Sequence, residues 1–339
     1  MKYFLYQLVF DTPVHFGSTE EGGKLEQSDM TYRSDTLFSA LCCELAAMND
    51  ESGITRLYQA VQKEQFVFSD LFPYKNMASD YAFYLPKPIL AVTETEPESE
   101  PEPEPSYETV RKQAILRKKQ KKLQYIRVSQ LEKYIHFLQS GKSKQWDIPY
   151  FGQSDLVTRV NCLDNEPMPY YVNQFTFAAD AGLYGIVGYE QEEDQEWICQ
   201  VLQEVGLTGI GGKRSSGYGK FHFLDDPILM DEQEGVYDDD RQLYQLLTEQ
   251  KAKQYMNISV LLPNKDDIPI VKKGQYKLCK RSGFLSPDGT TAKKKNDVYM
   301  IASGSCFPIR IQGEIATLSD ATNHPVWRYG KGLYVGLMV

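Results

Sequence analysis

Between residues 209 and 221 the chain reads Gly-Ile-Gly-Gly-Lys-Arg-Ser-Ser-Gly-Tyr-Gly-Lys-Phe, with five glycines in the eleven residues that end at Gly219. A backbone this permissive neither continues a helix nor fills a strand, so the segment must be a loop that something can approach closely. It follows a helical pattern, roughly 194–205, in which Trp197, Val201 and Val205 share one side. Lys213 and Arg214 sit inside it, and exposed amides beside two cations suit phosphate. The nucleotide templates do not fit. A Walker loop needs Gly at Leu207 and Ser or Thr at Arg214, and the GxGxxG pattern breaks at Arg214. A turn that merely lets a helix pack closely on a sheet is the plain alternative, but packing needs no cations.

A formal charge of −9 at pH 7 argues against a polyanionic ligand only if the charges are evenly spread. Twenty of the 46 acids fall in three tracts that contain no Lys or Arg, at 94–108, 190–196 and 225–240. The rest of the chain therefore sets 37 basic residues against 26 acidic ones. Eight basic residues crowd into 111–127 with no acid among them, and smaller groups stand at Lys213-Arg214, Lys272-Lys273, Lys277, Lys280-Arg281 and Lys293-Lys294-Lys295. One such group is ordinarily a solvated face. Several on a net-basic body fit a chain that holds a nucleic-acid backbone.

At 339 residues the chain exceeds what one hydrophobic core usually supports, which predicts two domains. Residues 2–11 read as a strand. Ser34 and Asp35 are placed to cap a helix on which Leu37, Leu41, Leu45 and Met48 recur at helical spacing. The long connection between them, His15 to Arg33, is a candidate ligand-contacting loop. A helix over 56–64, strands over 66–72 and 81–85, a helix over 129–139 and a hairpin of 169–178 with 182–189 carry the pattern to the glycine loop. These make a first domain, 1–225, with an insertion at about 93–160. Within it, 93–106 alternates Glu with Pro or a small residue and reads as disordered. Residues 240–339 form a second domain, with a helix at 240–250 and strands near 256–262, 275–280, 297–302, 305–315 and 331–338. The expected class is α+β: two ferredoxin-like (RRM-type) domains, the second more strand-rich, with insertions in the first.

No stretch approaches 18 uninterrupted apolar residues, and the opening KYFLYQLVF has no export cleavage pattern, which predicts a cytoplasmic protein without membrane contact. The six cysteines form no CxxC pair, and the four histidines show no HxxxH or HExxH spacing. No metal or other cofactor is expected.

Five segments together carry a family resemblance. They are the glycine loop after a helix, His-Phe-Gly-Ser after the first strand (His15 to Ser18), Ser-Asp-Thr-Leu-Phe-Ser-Ala-Leu at a helix start (Ser34 to Leu41), Leu-Pro-Lys-Pro (Leu85 to Pro88) and Ile-Ala-Ser-Gly-Ser-Cys-Phe (Ile301 to Phe307). They resemble the RAMP superfamily of CRISPR proteins, and within it the subunit-four family of the type III-A Csm complex. The likeness runs through nearly the whole chain, the Glu-Pro stretch apart. It implies a non-catalytic RNA-binding subunit at the foot of the effector, holding the 5′ tag of the CRISPR RNA and docking the large palm-domain subunit. A backbone RAMP subunit and, indirectly, target RNA are further implied partners.

Single-stranded RNA needs cations for its phosphates and aromatics or Arg for its splayed bases. Lys213 and Arg214 are then phosphate ligands, Ser215 and Ser216 hydrogen-bond phosphate or sugar, and Gly211 and Gly212 admit the strand. Phe16, Tyr125, Tyr218 and Phe284 stand beside basic residues as candidate stacking platforms. Arg33, Lys119, Lys122, Lys280 and Arg281 are further candidates for the same groove. His15 is open to three readings: an RNA contact, a structural hydrogen bond, or the general acid/base of a metal-independent CRISPR RNA-processing endoribonuclease, as in related RAMP nucleases. Cleavage also needs a partner acid or base and a clamp on developing charge, and no such partner is linked to His15 in the sequence, so no enzyme is expected.

Overall fold

The computed structural model describes residues 1–17, 24–78, 80–90, 122–140, 146–163, 166–231, 235–285, 293–319 and 325–338, with scattered positions between 107 and 118. The tract 93–106 and Lys119 lie outside the described residues.

Strand β1 (Lys2–Phe10) sits mid-sheet because it offers large apolar side chains to both faces: Phe4, Tyr6 and Leu8 on one, Tyr3 and Leu5 on the other. After it come a short ribbon of β2 (Phe16–Gly17) and β3 (Ser28–Asp29), then helices α1 (Ser34–Ala47) and α2 (Glu51–Gln62). Strands β4 (Phe66–Phe68), β5 (Phe72–Asn76), β6 (Tyr81–Pro86) and β7 (Tyr125–Arg127) lead to α3 (Leu131–Ser140). Next are β8 (Gly152–Leu163), β9 (Glu166–Phe177), β10 (Ala181–Tyr189), α4 (Glu192–Thr208), β11 (Phe221–Phe223) and β12 (Ile228–Met230).

The main sheet runs β11-β1-β10-β5-β6-β7, with β4 also on β10 and β12 also on β1, antiparallel throughout. Strand β10 thus lies between β1 and the β4–β5 pair that the first helices connect to it. Helices α1, α2 and α4 cover the Phe4 face.

The remainder comprises α5 (Asp238–Thr248), β13 (Gln254–Asn257), the short α6 (Ile268–Val271), β14 (Leu278–Arg281), β15 (Phe284–Leu285), β16 (Lys293–Lys294), β17 (Val298–Ile301), β18 (Cys306–Phe307), β19 (Ala316–Ser319), β20 (Val326–Arg328) and β21 (Tyr334–Leu337). Its central sheet is β18-β13-β21, flanked by the antiparallel pairs β14/β17, β15/β16 and β19/β20. Leu243 and Leu247 of α5, Met256 of β13 and Val335 of β21 pack with Tyr3 and Leu5, so the apolar core crosses the stretch 225–240.

Two local expectations are corrected. The hairpin of 169–178 with 182–189 does not form: β9 pairs along its whole length with β8, from Gly152↔Phe177 to Leu163↔Glu166, while β10 pairs with β1, β4 and β5. Burial decides this. All nine residues of β10 are buried, as a central strand requires, whereas β9 buries only Val172 and belongs to a ribbon outside the main sheet. Ser34 and Asp35, in turn, do not cap α1. Arg33 is the N-cap residue, and the Ser34 amide donates to Asp70 Oδ1 at 2.8 Å.

Asp35 is fully buried and serves the C-terminal half instead. Arg281 donates Nη2 to its Oδ1 (2.9 Å) and Nε to its Oδ2 (3.0 Å), and Arg328 donates Nη1 to Oδ2 (2.7 Å). Burial alone would raise this carboxyl, but the two guanidinium groups outweigh it and pull it down to about 2. The folded state therefore binds this proton more weakly than the unfolded chain, whose Asp titrates near about 3.9. The stabilisation is complete above about pH 4 and is lost as pH falls through 2. Asp35→Asn should cost about 3–5 kcal/mol at pH 7 by stranding two buried cations. Urea unfolding at pH 7 measures that loss, and a pH 5 to 3 series should show a shallower acid decline for the variant than for the wild type; equal stability at pH 7 would refute the role.

Candidate nucleic-acid interface

The glycine loop is a rigid structure. Ile210 is fully buried and donates its amide to the Gly219 carbonyl (3.0 Å), closing the loop's neck, and the Gly219 amide donates to Pro13 O (2.9 Å). Gly219 has φ +76°, and a Cβ there would lie 2.0 Å from the Ile210 carbonyl oxygen, so no other residue fits. The Gly212 amide donates to His15 O at 2.8 Å. The tip, Lys213 (φ 61°) followed by a single 3₁₀ turn over Arg214–Ser216, is thereby held against the β1–α1 connection.

Lys213 is half-buried, with Nζ 4.7 Å from the centroid of Tyr170 on β9, while Arg214, Ser215 and Ser216 are exposed. Neither Lys213 nor Arg214 has a carboxylate partner among the described residues. Two cations with no described carboxylate to leave can meet an anion without an ion pair being broken.

Other sequence candidates build the scaffold. His15 is buried, with Nδ1 2.7 Å from the Asn173 carbonyl, which can only accept; Nδ1 is thus the protonated nitrogen. A side chain on Gly212 would meet the imidazole edge. Phe16 is a core residue, packed on Phe10 and Tyr32, and its ring is not offered to a base. Tyr218 is likewise buried: its hydroxyl accepts from Arg159 Nη2 (2.9 Å) and donates to Gln174 Oε1 (2.7 Å), pinning the β8–β9 ribbon to the loop.

Arg33 donates to Asp70 Oδ2 (3.0 Å) and Ser303 Oγ (2.9 Å), and Arg281 is consumed by Asp35. Lys280 lies 2.8 Å from Asp297. Lys122 is exposed, some way along the chain from the loop, beside Tyr125, whose hydroxyl meets Thr31 Oγ1 at 3.1 Å. Phe284 lies in β15, and its side chain is outside the described residues. Of the predicted set, then, the structure brings together His15, Phe16, Gly211, Gly212, Lys213, Arg214, Ser215, Ser216 and Tyr218, and leaves Arg33, Lys122, Lys280 and Arg281 apart in other bonds or elsewhere on the chain.

Sequence reasoning missed Arg159, Tyr170 and Gln174. Residues 154–160, Ser-Asp-Leu-Val-Thr-Arg-Val, carry no period-two alternation that would mark a strand, and the position of Tyr170 and Gln174 against the loop depends on the pairing of that segment. Among the described residues no three His, Cys, Asp or Glu side chains converge as metal ligands, and no helix is long and apolar enough to cross a membrane.

The chain belongs to the RAMP superfamily, whose model matches residues 7–222. Residues 250–337 match the CRISPR Csm4 C-terminal domain. Relatives called CRISPR system Cms protein Csm4 are similar over their length. That of Streptococcus thermophilus is 28% identical, with 100% of both chains covered. That of Mycobacterium tuberculosis (strain CDC 1551 / Oshkosh) is 28% identical, covering 98% of this chain and 97% of its own.

Solved structures share the fold. A chain of the Csm3-Csm4 subcomplex of the type III-A CRISPR-Cas interference complex superposes with TM-score 0.60 at 15% identity, covering 99% of each. A chain of the Csm1-Csm4 cassette in complex with cA4 gives 0.59 at 18%, covering 99% of this chain and 98% of its own.

The loop's neck makes a direct prediction. Gly219→Ala should cost about 3 kcal/mol or more, combining left-handed strain with a backbone clash. Tyr218→Phe, which keeps the ring and loses both hydroxyl bonds, should cost about 1–2 kcal/mol. Thermal unfolding measures both, and an Ala variant as stable as the wild type would contradict the described geometry.

Proposed function

We propose that this chain is a Csm4-type, non-catalytic RNA-binding subunit of a type III-A CRISPR effector in the cytoplasm. It holds the 5′ tag of the CRISPR RNA at the foot of the complex, docks the large palm-domain subunit and a backbone RAMP subunit, and meets target RNA only indirectly. The observation that carries this reading is the pair Lys213 and Arg214, two cations without carboxylate partners among the described residues, on a loop fixed by Pro13 and His15. Family membership supports it, as do the pairings named for its structural neighbours, Csm1 with Csm4 and Csm3 with Csm4. The two-domain reading, 1–225 and 240–339 with ferredoxin-like strand order in each, is supported in the first by the placement of β10 between β1 and β4–β5.

Ser215 and Ser216 join the loop's phosphate contacts, and Arg159 and Tyr170 extend the surface along the ribbon. His15, Phe16 and Tyr218 contribute by shaping that surface. The endoribonuclease reading is disfavoured by His15 itself, whose Nδ1 proton is committed to the Asn173 carbonyl and whose ring is buried. Lys213→Ala/Arg214→Ala should weaken binding of a tag-containing RNA and lower the slope of log affinity against log salt by about 0.7 per lost phosphate contact. Unchanged affinity and slope would leave the chain a protein adaptor. Discrete metal-free cleavage of precursor RNA that His15→Ala abolishes would replace the scaffold reading with the enzymatic one.

A further inference from the structure

Beside the base of the β8–β9 ribbon lies a pocket of about 200 Å³ that the glycine loop does not use. Tyr125, Phe151 and Phe175 line it, with Tyr150, Lys122 and Gln124 exposed at its edge. The walls are fixed in advance. Phe151 stands edge-on to Tyr84 (5.0 Å, 84°) and to Tyr125 (6.5 Å, 85°), and its carbonyl accepts the Ala178 amide at 2.9 Å. Lys75, 3.1 Å from Asp180, donates to the Tyr150 carbonyl at 2.9 Å. Tyr150 is nonetheless 59% exposed, its main chain anchored through that carbonyl and its large ring left with little covering it.

We propose that this pocket receives one unstacked nucleobase of the RNA whose phosphates the glycine loop holds, an inference that rests on the proposed RNA-binding function. Size limits the occupant: the volume is below the roughly 300–1,000 Å³ of pockets for drug-sized ligands, which leaves room for a single ring system. Chemistry narrows it further. Aromatic walls and few polar groups suit a heterocycle that stacks, and the edge carries Lys122, near the end of the run 111–127 in which eight basic residues meet no acid. An apolar side chain from a partner protein would fit the walls but gain nothing from that cationic approach.

Position ties pocket to loop. Phe175 exchanges both backbone hydrogen bonds with Val14 (2.8 and 2.9 Å), and the next residue, His15, accepts the Gly212 amide. Two main-chain links, Phe175 to Val14 and His15 to Gly212, thus join a wall of the pocket to the glycine loop.

The test scans a single abasic position through a tag-containing RNA and measures affinity for the full chain and for the assembled effector, with and without Tyr150→Ala. One abasic position should weaken binding by about 5- to 100-fold, the range of base–aromatic stacking, and Tyr150→Ala should do the same on intact RNA. The two changes together should cost no more than either alone, because each removes the same contact. A flat scan, or a Tyr150→Ala effect that multiplies with every abasic position, overturns the pocket while RNA binding through Lys213 and Arg214 stands. Weakened subunit assembly with unchanged RNA affinity would give the pocket to a protein partner and overturn it as well. No RNA binding in either preparation would sink both this inference and the proposed function.

Discussion

Asp35 is the point on which the rest of the structure depends. A fully buried carboxylate at the first turn of α1 is tolerable only with compensating charge, and both of its oxygens are met by Arg281 and Arg328 from the C-terminal half. The pairing fixes where the second half lies against the first. Asp70 repeats the arrangement nearby. Its Oδ1 accepts the amides of Ser34 (2.8 Å) and Val260 (3.1 Å), and its Oδ2 accepts Arg33. Asp239 does the same on the other side of the sheet, accepting the Phe83 amide (2.9 Å) and Arg127 Nε (2.8 Å). Asp239, which the sequence places in the acidic tract 225–240, is thus a structural bolt like Asp35 and Asp70, because a buried carboxylate with several donors holds chain segments in one geometry.

The same economy sorts the cations by role. Arg33 is paired with Asp70, and Arg281 and Arg328 share the one carboxylate of Asp35, so all three are engaged inside the protein. Lys213 and Arg214 are not, because the loop carries them away from every described carboxylate. The proposed RNA-binding surface is thus defined less by where basic residues are than by which of them lack a described carboxylate partner. Its rigidity comes from neutral parts: the Gly219–Ile210 neck, the His15 carbonyl under Gly212, and the Tyr218 hydroxyl between Arg159 and Gln174.

Three remote segments therefore meet at one place: the connection after β1, the β8–β9 ribbon and the loop before β11. Val14 bridges to Phe175, His15 accepts from Gly212, and Lys213 reaches Tyr170, so the ribbon and the loop are registered against each other through a handful of main-chain contacts.

Local pattern was enough to read β1, α1, α2, α4 and α5 and to recognise the glycine loop with its two cations, since periodicity and glycine content act within a few residues. It was not enough for Phe16 or Tyr218, whose nearby cations suggested stacking but whose rings are buried. Nor could it assign β9, because a strand's partner depends on which face is covered, and that is a property of the assembled sheet. The sequence by itself determined the elements, the loop and its sign of charge. Only the tertiary structure decided which charges are spent and which remain, because Arg281 and Arg328 meet Asp35 across 246 and 293 positions of chain, and desolvation that forces such pairing exists only once the chain is folded.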